Sequence, residues 1–233
     1  MKIKTTLRKN TRFSEEKILQ ILECFCSDFR ADFTAKYLKI NRKTINDWYM
    51  YIRNAIYWHQ EEEKKQLFSG TVEVDESYFW PRRVRWKRWR WAGNKIKVFW
   101  ILERWWKVYT EIVPNCEADT LLPIIRWKVT LEDTVVNSDG WTSYNALVDI
   151  GAMKHYRVHH SKNEFARGKQ HINGMESFWS YAKGRMAKSN GIRKEYFLLH
   201  LKESEFRYNC MRTWAKMKKT LIKILRKFTK QLL

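Results

Sequence analysis

Residues 71–79 read T-V-E-V-D-E-S-Y-F. Apolar and charged side chains alternate through Val72, Glu73, Val74 and Asp75, the period of a half-buried strand rather than of a helix. The alternation puts Glu73 and Asp75 on one face and Glu76 on the other. An acid among strand valines is either a structural ion-pair partner or a group with chemistry to do, and Glu73 and Asp75 compete for the second role.

The same alternation continues outward. Ile96–Glu103 (IKVFWILE) and Lys107–Val113 (KVYTEIV) read as two more strands joined by a tight turn at Arg104–Trp106. Asp119–Ile125 then reads as a helix, Thr134–Ser138 (TVVNS) as a buried strand, Tyr144–Ile150 as a helix and Lys154–Val158 as a fifth strand, with helix again from His171 through Met186. Three antiparallel strands followed by alternating helix and strand predict an α/β domain with a mixed sheet and flanking helices. Between the first two strands, Pro81–Lys97 carries eight basic residues and no acid, which reads as a phosphate-binding surface through Arg82, Arg83, Arg85, Arg88 and Arg90.

Upstream, residues 13–57 are helical in pattern. Ser14 is a natural N-cap ahead of Glu15 and Glu16, and Ile18, Ile21, Leu22 and Phe25 recur at helical spacing. A short helix over Asp32–Leu38 and a third opening after Asn41 complete the pattern, with Arg42, Lys43 and Asn46 left outside. This layout fits a helix-turn-helix that offers basic and amide side chains to a major groove, and equally a small bundle with a solvated basic face. Gln60–Gln66 is a charged linker ending in Ser69-Gly70. At the other end, Trp214, Met217, Leu221, Ile224, Leu225, Phe228 and Leu232 form an apolar stripe, with eight Lys or Arg and no acid between Met211 and Leu233. DNA or a second protomer is the expected contact of that stripe, and docking on the chain's own core is the alternative. The expected division is therefore 1–60 helix-turn-helix, 61–70 linker, 71–209 α/β domain and 210–233 basic amphipathic helix.

Composition narrows the function classes. Across 233 residues, 46 Lys and Arg face 25 Asp and Glu, a net charge of +21. Self-repulsion of that size favours a polyanionic partner, hence nucleic acid. No apolar stretch of about 18 residues occurs, and the first residues are studded with charge, so neither a membrane span nor a secretory signal is expected and the chain reads as cytoplasmic. Cys24, Cys26, Cys116 and Cys210 show no C-x-x-C spacing and read as reduced thiols.

Three acids recur in telling positions: Asp75 in its strand, Asp139 directly after TVVNS, and Glu176 in HINGMESFWSYAKG. An acid within a strand, one at a strand's end and one on a packed helix can converge at a sheet edge, as metal-dependent phosphodiester cleavage requires. Their surroundings, V-E-V-D-E-S-Y, S-D-G-W-x-S-Y and H-x-N-x-x-E-S-F-W-x-x-x-K, in this order over residues 70–209, resemble the DDE-type transposases of bacterial insertion sequences, in the ISXO-two-like branch. The resemblance implies an RNase H-like fold, with Asp75, Asp139 and Glu176 as ligands of two Mg²⁺ ions, for which Mn²⁺ can substitute. It also implies a Lys after the Glu, here Lys183, two helical turns on and able to hold a DNA phosphate. Asn173, one turn before Glu176, is a rival ligand, but an amide does not neutralise metal charge. His159-His160 with Lys162 and Phe165 matches a further family segment, and His160 is expected at phosphate. Many relatives carry a cysteine-rich zinc module that this sequence lacks.

The activity implied is cleavage at the ends of an insertion element and strand transfer into target DNA, by a homodimer in the complex with the terminal inverted repeats. An inactive DNA-binding repressor and another RNase H-like nuclease, such as a junction resolvase, are the alternatives. One oddity is compositional: 13 Trp accompany 8 Gly. Where the resemblance implies turn and strand-end Gly, the sequence has Trp80, Trp86, Trp89, Trp91, Trp100, Trp105, Trp106 and Trp127. Reading these as Gly restores the ~7% Gly of ordinary proteins, so an in-frame UGA codon that the source organism decodes as Gly is expected at these sites. Stacking aromatics interleaved with arginine are the alternative.

Overall fold

The structure is a computed structural model that describes residues 7–9, 11–63, 67–79, 95–104, 107–139, 154–158, 173–189, 191–210 and 214–232. In chain order the elements are α1 (Glu15–Cys26), α2 (Ala31–Leu38), α3 (Arg42–Glu62), β1 (Phe68–Phe79), β2 (Ile96–Glu103), β3 (Lys107–Val113), α4 (Ala118–Lys128), β4 (Val129–Asp139), β5 (Lys154–Val158), α5 (Asn173–Ala187), α6 (Phe197–Cys210) and α7 (Trp214–Gln231). The expected helix over 144–150 and the arginines at 82, 83, 85, 88 and 90 lie outside the described residues.

The five strands form one mixed sheet in the order β3-β2-β1-β4-β5. β1 pairs antiparallel with β2 and β2 with β3, while β4 runs parallel to β1 and β5 parallel to β4. The alternation read from the sequence therefore gives the predicted α/β class. On one side, Val72, Val74, Phe99, Ile101 and Val136 pack with Leu121 and Ile125 of α4. Glu73, Asp75, Ser77 and Phe79 alternate to the other side. Ser69-Gly70, expected to close the linker, lies inside β1. Gly70 sits at φ 75° where the β1–β4 register shifts, a bulge whose left-handed backbone suits a residue without a Cβ.

Helices α1, α2, α3, α6 and α7 form a second compact unit. Residues 65–183 cluster as one unit, and residues 184–233 cluster with 1–64 as the other, so the division falls within α5. Ser14 caps α1 by accepting from the Lys17 amide, as expected. Ile21, Leu22, Phe25, Ile45, Trp48 and Ile52 share one core with Phe206 of α6 and with Met217, Leu221, Ile224 and Leu225 of α7. The stripe of α7, expected to meet DNA or a second protomer, is thus committed to the chain's own core. Burial of that apolar face removes it from water more completely than any transient partner would.

The middle of α6 is buried on every side from Leu201 through Arg207, although its sequence LKESEFR is mostly charged. Its charges are satisfied by ion pairs: Lys202 with Glu205 at 2.8 Å, and Glu203 with Arg207 at 2.8 Å, with Arg53 of α3 at 2.7 Å and with Arg185 of α5. Arg185 also bonds Asp28 at 3.0 Å and Ser204 at 3.2 Å. Burial opposes ionisation of Glu203, but Arg185, Arg53 and Arg207 together overcome it and hold the carboxyl well below the usual carboxylate range. Among the described residues no helix is long and apolar enough to cross a membrane.

Candidate active site

β1 and β4 are paired in parallel up to Val74 and Ser138. One residue further along each strand stand Asp75 and Asp139, so neighbouring backbones, ~4.8 Å apart in a sheet, carry the first two motif acids at the same level. α5 reaches this place through Trp179, whose indole Nε1 donates to Asp75 Oδ2 at 3.3 Å. Trp179 follows Glu176 by three residues, close to one helical turn. Asp75 and Asp139 thus stand on neighbouring strands, and α5 meets Asp75 through Trp179, about one helical turn beyond Glu176. The side chains of Asp139 and Glu176 are outside the described set, and among the described side chains no three His, Cys, Asp or Glu groups cluster as a ligand set.

An aromatic wall lines the α5 side of the sheet here. Trp100, opposite Asp75 in the β1–β2 register, stacks on Phe178 at 5.4 Å and meets Trp179 edge-on at 5.2 Å, while Phe79 lies 5.6 Å from Trp179. An apolar wall lowers the local dielectric, which strengthens the attraction of a half-buried carboxylate for a cation. Lys183 is exposed on α5, with its ammonium 5.8 Å from the ring centroids of Phe79 and of Trp179. Its position thus flanks the same wall.

Glu73 is buried, and its Oε1 accepts from Arg104 Nε at 2.8 Å. That ion pair ties the start of the β2–β3 turn to β1 and gives Glu73 a structural role, leaving Asp75 the better candidate of the two. The residue that the sequence reading missed is Trp179. The signal was present in E-S-F-W, because a residue three after an acid shares its helix face.

At the first turn of α3, Asn41 caps the helix by accepting from the Lys43 amide at 2.8 Å, and Arg42, Lys43 and Asn46 are exposed. Ile45, Trp48 and Ile52 fix the opposite face in the core. The arrangement presents two cations and an amide beside the positive end of the helix, which suits an anionic partner. His159, His160, Lys162 and Phe165 lie outside the described residues.

Of the eight unexpected tryptophans, Trp100 and Trp127 are described. Trp127 is half exposed on α4 with the Lys128 ammonium 4.6 Å from its ring, whereas Trp100 is fully buried and its Nε1, also buried, has no hydrogen-bond partner among the described residues. A buried indole N–H without an acceptor costs about 1–3 kcal/mol, but Trp100 lies inside β2, packed on Phe178 and Trp179, and Trp127 lies inside α4, not at the turns and strand ends where Gly was expected. Sequencing the coding DNA is expected to find UGA at most of the eight positions, and mass spectrometry of the native protein to find Gly there. UGG at most of them would end this reading.

Residues 67–209 match the family described as the ISXO2-like transposase domain. An uncharacterized transposase-like protein of Haemophilus influenzae is 48% identical over 103 residues, covering 44% of this chain and 81% of the relative. The crystal structure of a pre-cleavage Mos1 transpososome aligns over 96% of this chain and 80% of that one, at 12% identity and a TM-score of 0.37, a level that fixes no residue correspondence. With more than half of its length matched, the chain belongs to the family of ISXO2-like transposases.

Proposed function

We propose that this protein cuts the ends of its insertion element and joins the freed 3′-hydroxyl to target DNA, with Asp75, Asp139 and Glu176 as the acids of the site. The observation that carries the reading is the meeting of three segments at one sheet end: the β1–β4 register and the hydrogen bond from Trp179 to Asp75. The strand order, with three antiparallel strands and two parallel ones, supports the RNase H-like reading.

The three acids are hard oxygen donors of the kind that suit Mg²⁺ or Mn²⁺. When bound, such ions supply activation of the attacking oxygen and neutralisation of the leaving one. The chain's own residues orient and neutralise. Trp179 fixes one oxygen of Asp75 and so sets the direction of the other. Lys183 holds a phosphate beside the acids, and the first turn of α3 reads the terminal repeat in a helix-turn-helix arrangement. The protein acts in the cytoplasm, as a homodimer on paired element ends. The test is incubation of the purified chain with duplex carrying the terminal inverted repeat. Strand cleavage is expected with Mg²⁺ or Mn²⁺ and is expected to stop on chelation; cleavage that survives chelation would sink the reading.

The two basic regions are expected to do different work. Changing Arg42, Lys43 and Asn46 to Ala should erode the preference for terminal repeat over random duplex by about 10-fold or more, since each good base contact contributes ~1–3 kcal/mol of discrimination. Neutralising Arg82, Arg83, Arg85, Arg88 and Arg90 should instead weaken binding to every sequence and flatten the salt dependence of affinity. Titrations of both duplexes at several salt concentrations separate the two outcomes.

A further inference from the structure

We propose that the solvent face of α7 is a second contact for the backbone of duplex DNA, separate from the first turn of α3. Met217, Leu221, Ile224 and Leu225 of this helix are buried, and Phe228 packs against Tyr51 at 5.4 Å and Trp58 at 5.8 Å. The Thr229 hydroxyl is 2.7 Å from Tyr51 Oη and donates to the Leu7 carbonyl at 3.0 Å, which fixes the rotation of the helix about its axis. With that rotation fixed, Lys216, Lys219, Lys223, Arg226, Lys227 and Lys230 are all exposed, and the helix contains no acid. At 3.6 residues per turn these six fall within about 100° of the circumference, opposite the buried stripe. Lys218 is not among them, because it turns to Glu23 of α1.

The result is a straight cationic ridge spanning ~21 Å at 1.5 Å per residue. Over that length of axis both strands of B-DNA together carry one phosphate charge per ~1.7 Å, and a straight ridge faces the few of them on its side of the duplex. An anionic membrane is the poorer fit, because a helix that lies on lipid inserts its apolar face, and here that face is committed to the core. An acidic protein is poorer too, because protein interfaces deplete Lys and centre on apolar or aromatic anchors, which the ridge lacks. The ridge rests on the DNA-processing reading above and adds to it a grip that carries no sequence information, since phosphate contacts position without specifying.

The test is a full-length variant with all six ridge residues changed to Gln, titrated with random-sequence duplex at several KCl concentrations alongside the parent chain. The slope of log affinity against log salt is expected to fall by ~3–5, at ~0.9 for each phosphate that the chain no longer neutralises, with circular dichroism and melting unchanged. The pair variant Lys219→Gln/Lys223→Gln, which disturbs the helix less, should lower the slope by ~1.8. A parent chain that binds duplex and variants that keep its slope would overturn the ridge while leaving the transposase reading intact. A parent chain that binds no duplex at all would overturn both. Vesicles of anionic and neutral phospholipid serve as the second probe. Abolished vesicle binding in the six-residue variant, with an unchanged DNA slope, would assign the ridge to membranes and overturn the proposal.

Discussion

Asp75→Asn, Asp139→Asn and Glu176→Gln are each expected to abolish metal-dependent cleavage of terminal-repeat DNA, by more than ~10³-fold, while binding to the same duplex stays within a few-fold of the parent. The size follows from the role. Each substitution keeps the shape of the side chain but removes a negative charge from the site proposed to hold divalent cations, and several kcal/mol of transition-state stabilisation should go with it. Binding survives because affinity for DNA comes mainly from the basic surfaces, which the substitutions do not touch. Glu73→Gln is the internal control. Glu73 shares a strand face with Asp75 but is buried against Arg104, so this change should lower stability and leave the cleavage chemistry in place. A single-turnover assay with Mg²⁺ and with Mn²⁺, beside a binding titration, reads all four variants. Near-parental cleavage by any of the first three would remove that residue from the site.

Glu203→Ala is the substitution expected to cost the most stability, about 3–5 kcal/mol, because it strands three guanidinium groups around an emptied buried position. Arg53 Nε and Arg207 Nε lie 2.7 and 2.8 Å from its carboxylate, and both Arg185 and Arg207 are buried with it. A loss of that size is a large share of the 5–15 kcal/mol that ordinarily separates folded from unfolded chains. Glu203→Gln keeps the hydrogen-bonding shape and should fall between. The same cluster makes the helical unit acid-labile. Burial, with Arg53 beside it, pulls the His200 imidazole down from 6.5 to about 4, so between those values the unfolded chain takes up a proton that the folded chain refuses. Stability therefore drops as pH falls from 6.5 toward 4. Glu203 adds a loss of the same sign below about 4.5, where the unfolded carboxylate protonates first. Thermal melts from pH 7 to pH 4 should show the decline, and Glu203→Gln should lose the part below 4.5. A flat profile across this range would show that neither group differs between the folded and unfolded chains.

The strands of the sheet were legible because their signal is local. Period-two alternation marks Ile96–Glu103 and Lys107–Val113 with the observed bounds, and Ser14 marks the start of α1, since a strand's faces and a helix's cap are both set by residues a few positions apart. The three motif acids were legible as motifs, but the parallel pairing that makes β1 and β4 neighbours was not, because the order of elements suggested only a mixed sheet. The burial of LKESEFR and the pairing of Glu73 with Arg104 were not legible, and the docking of α7 on the chain's own core stood only as the alternative to a contact with DNA or a second protomer. Read locally, a run of charges looks solvated, and an amphipathic basic helix looks like a binding element. Glu203 becomes a core residue only because Arg53, 150 positions earlier, and Arg185 arrive beside it. A buried charge is tolerable when its partners are in place, and no local pattern encodes partners so distant in the chain; tertiary structure alone decides which charges leave water and which, like the ridge of α7, remain in it.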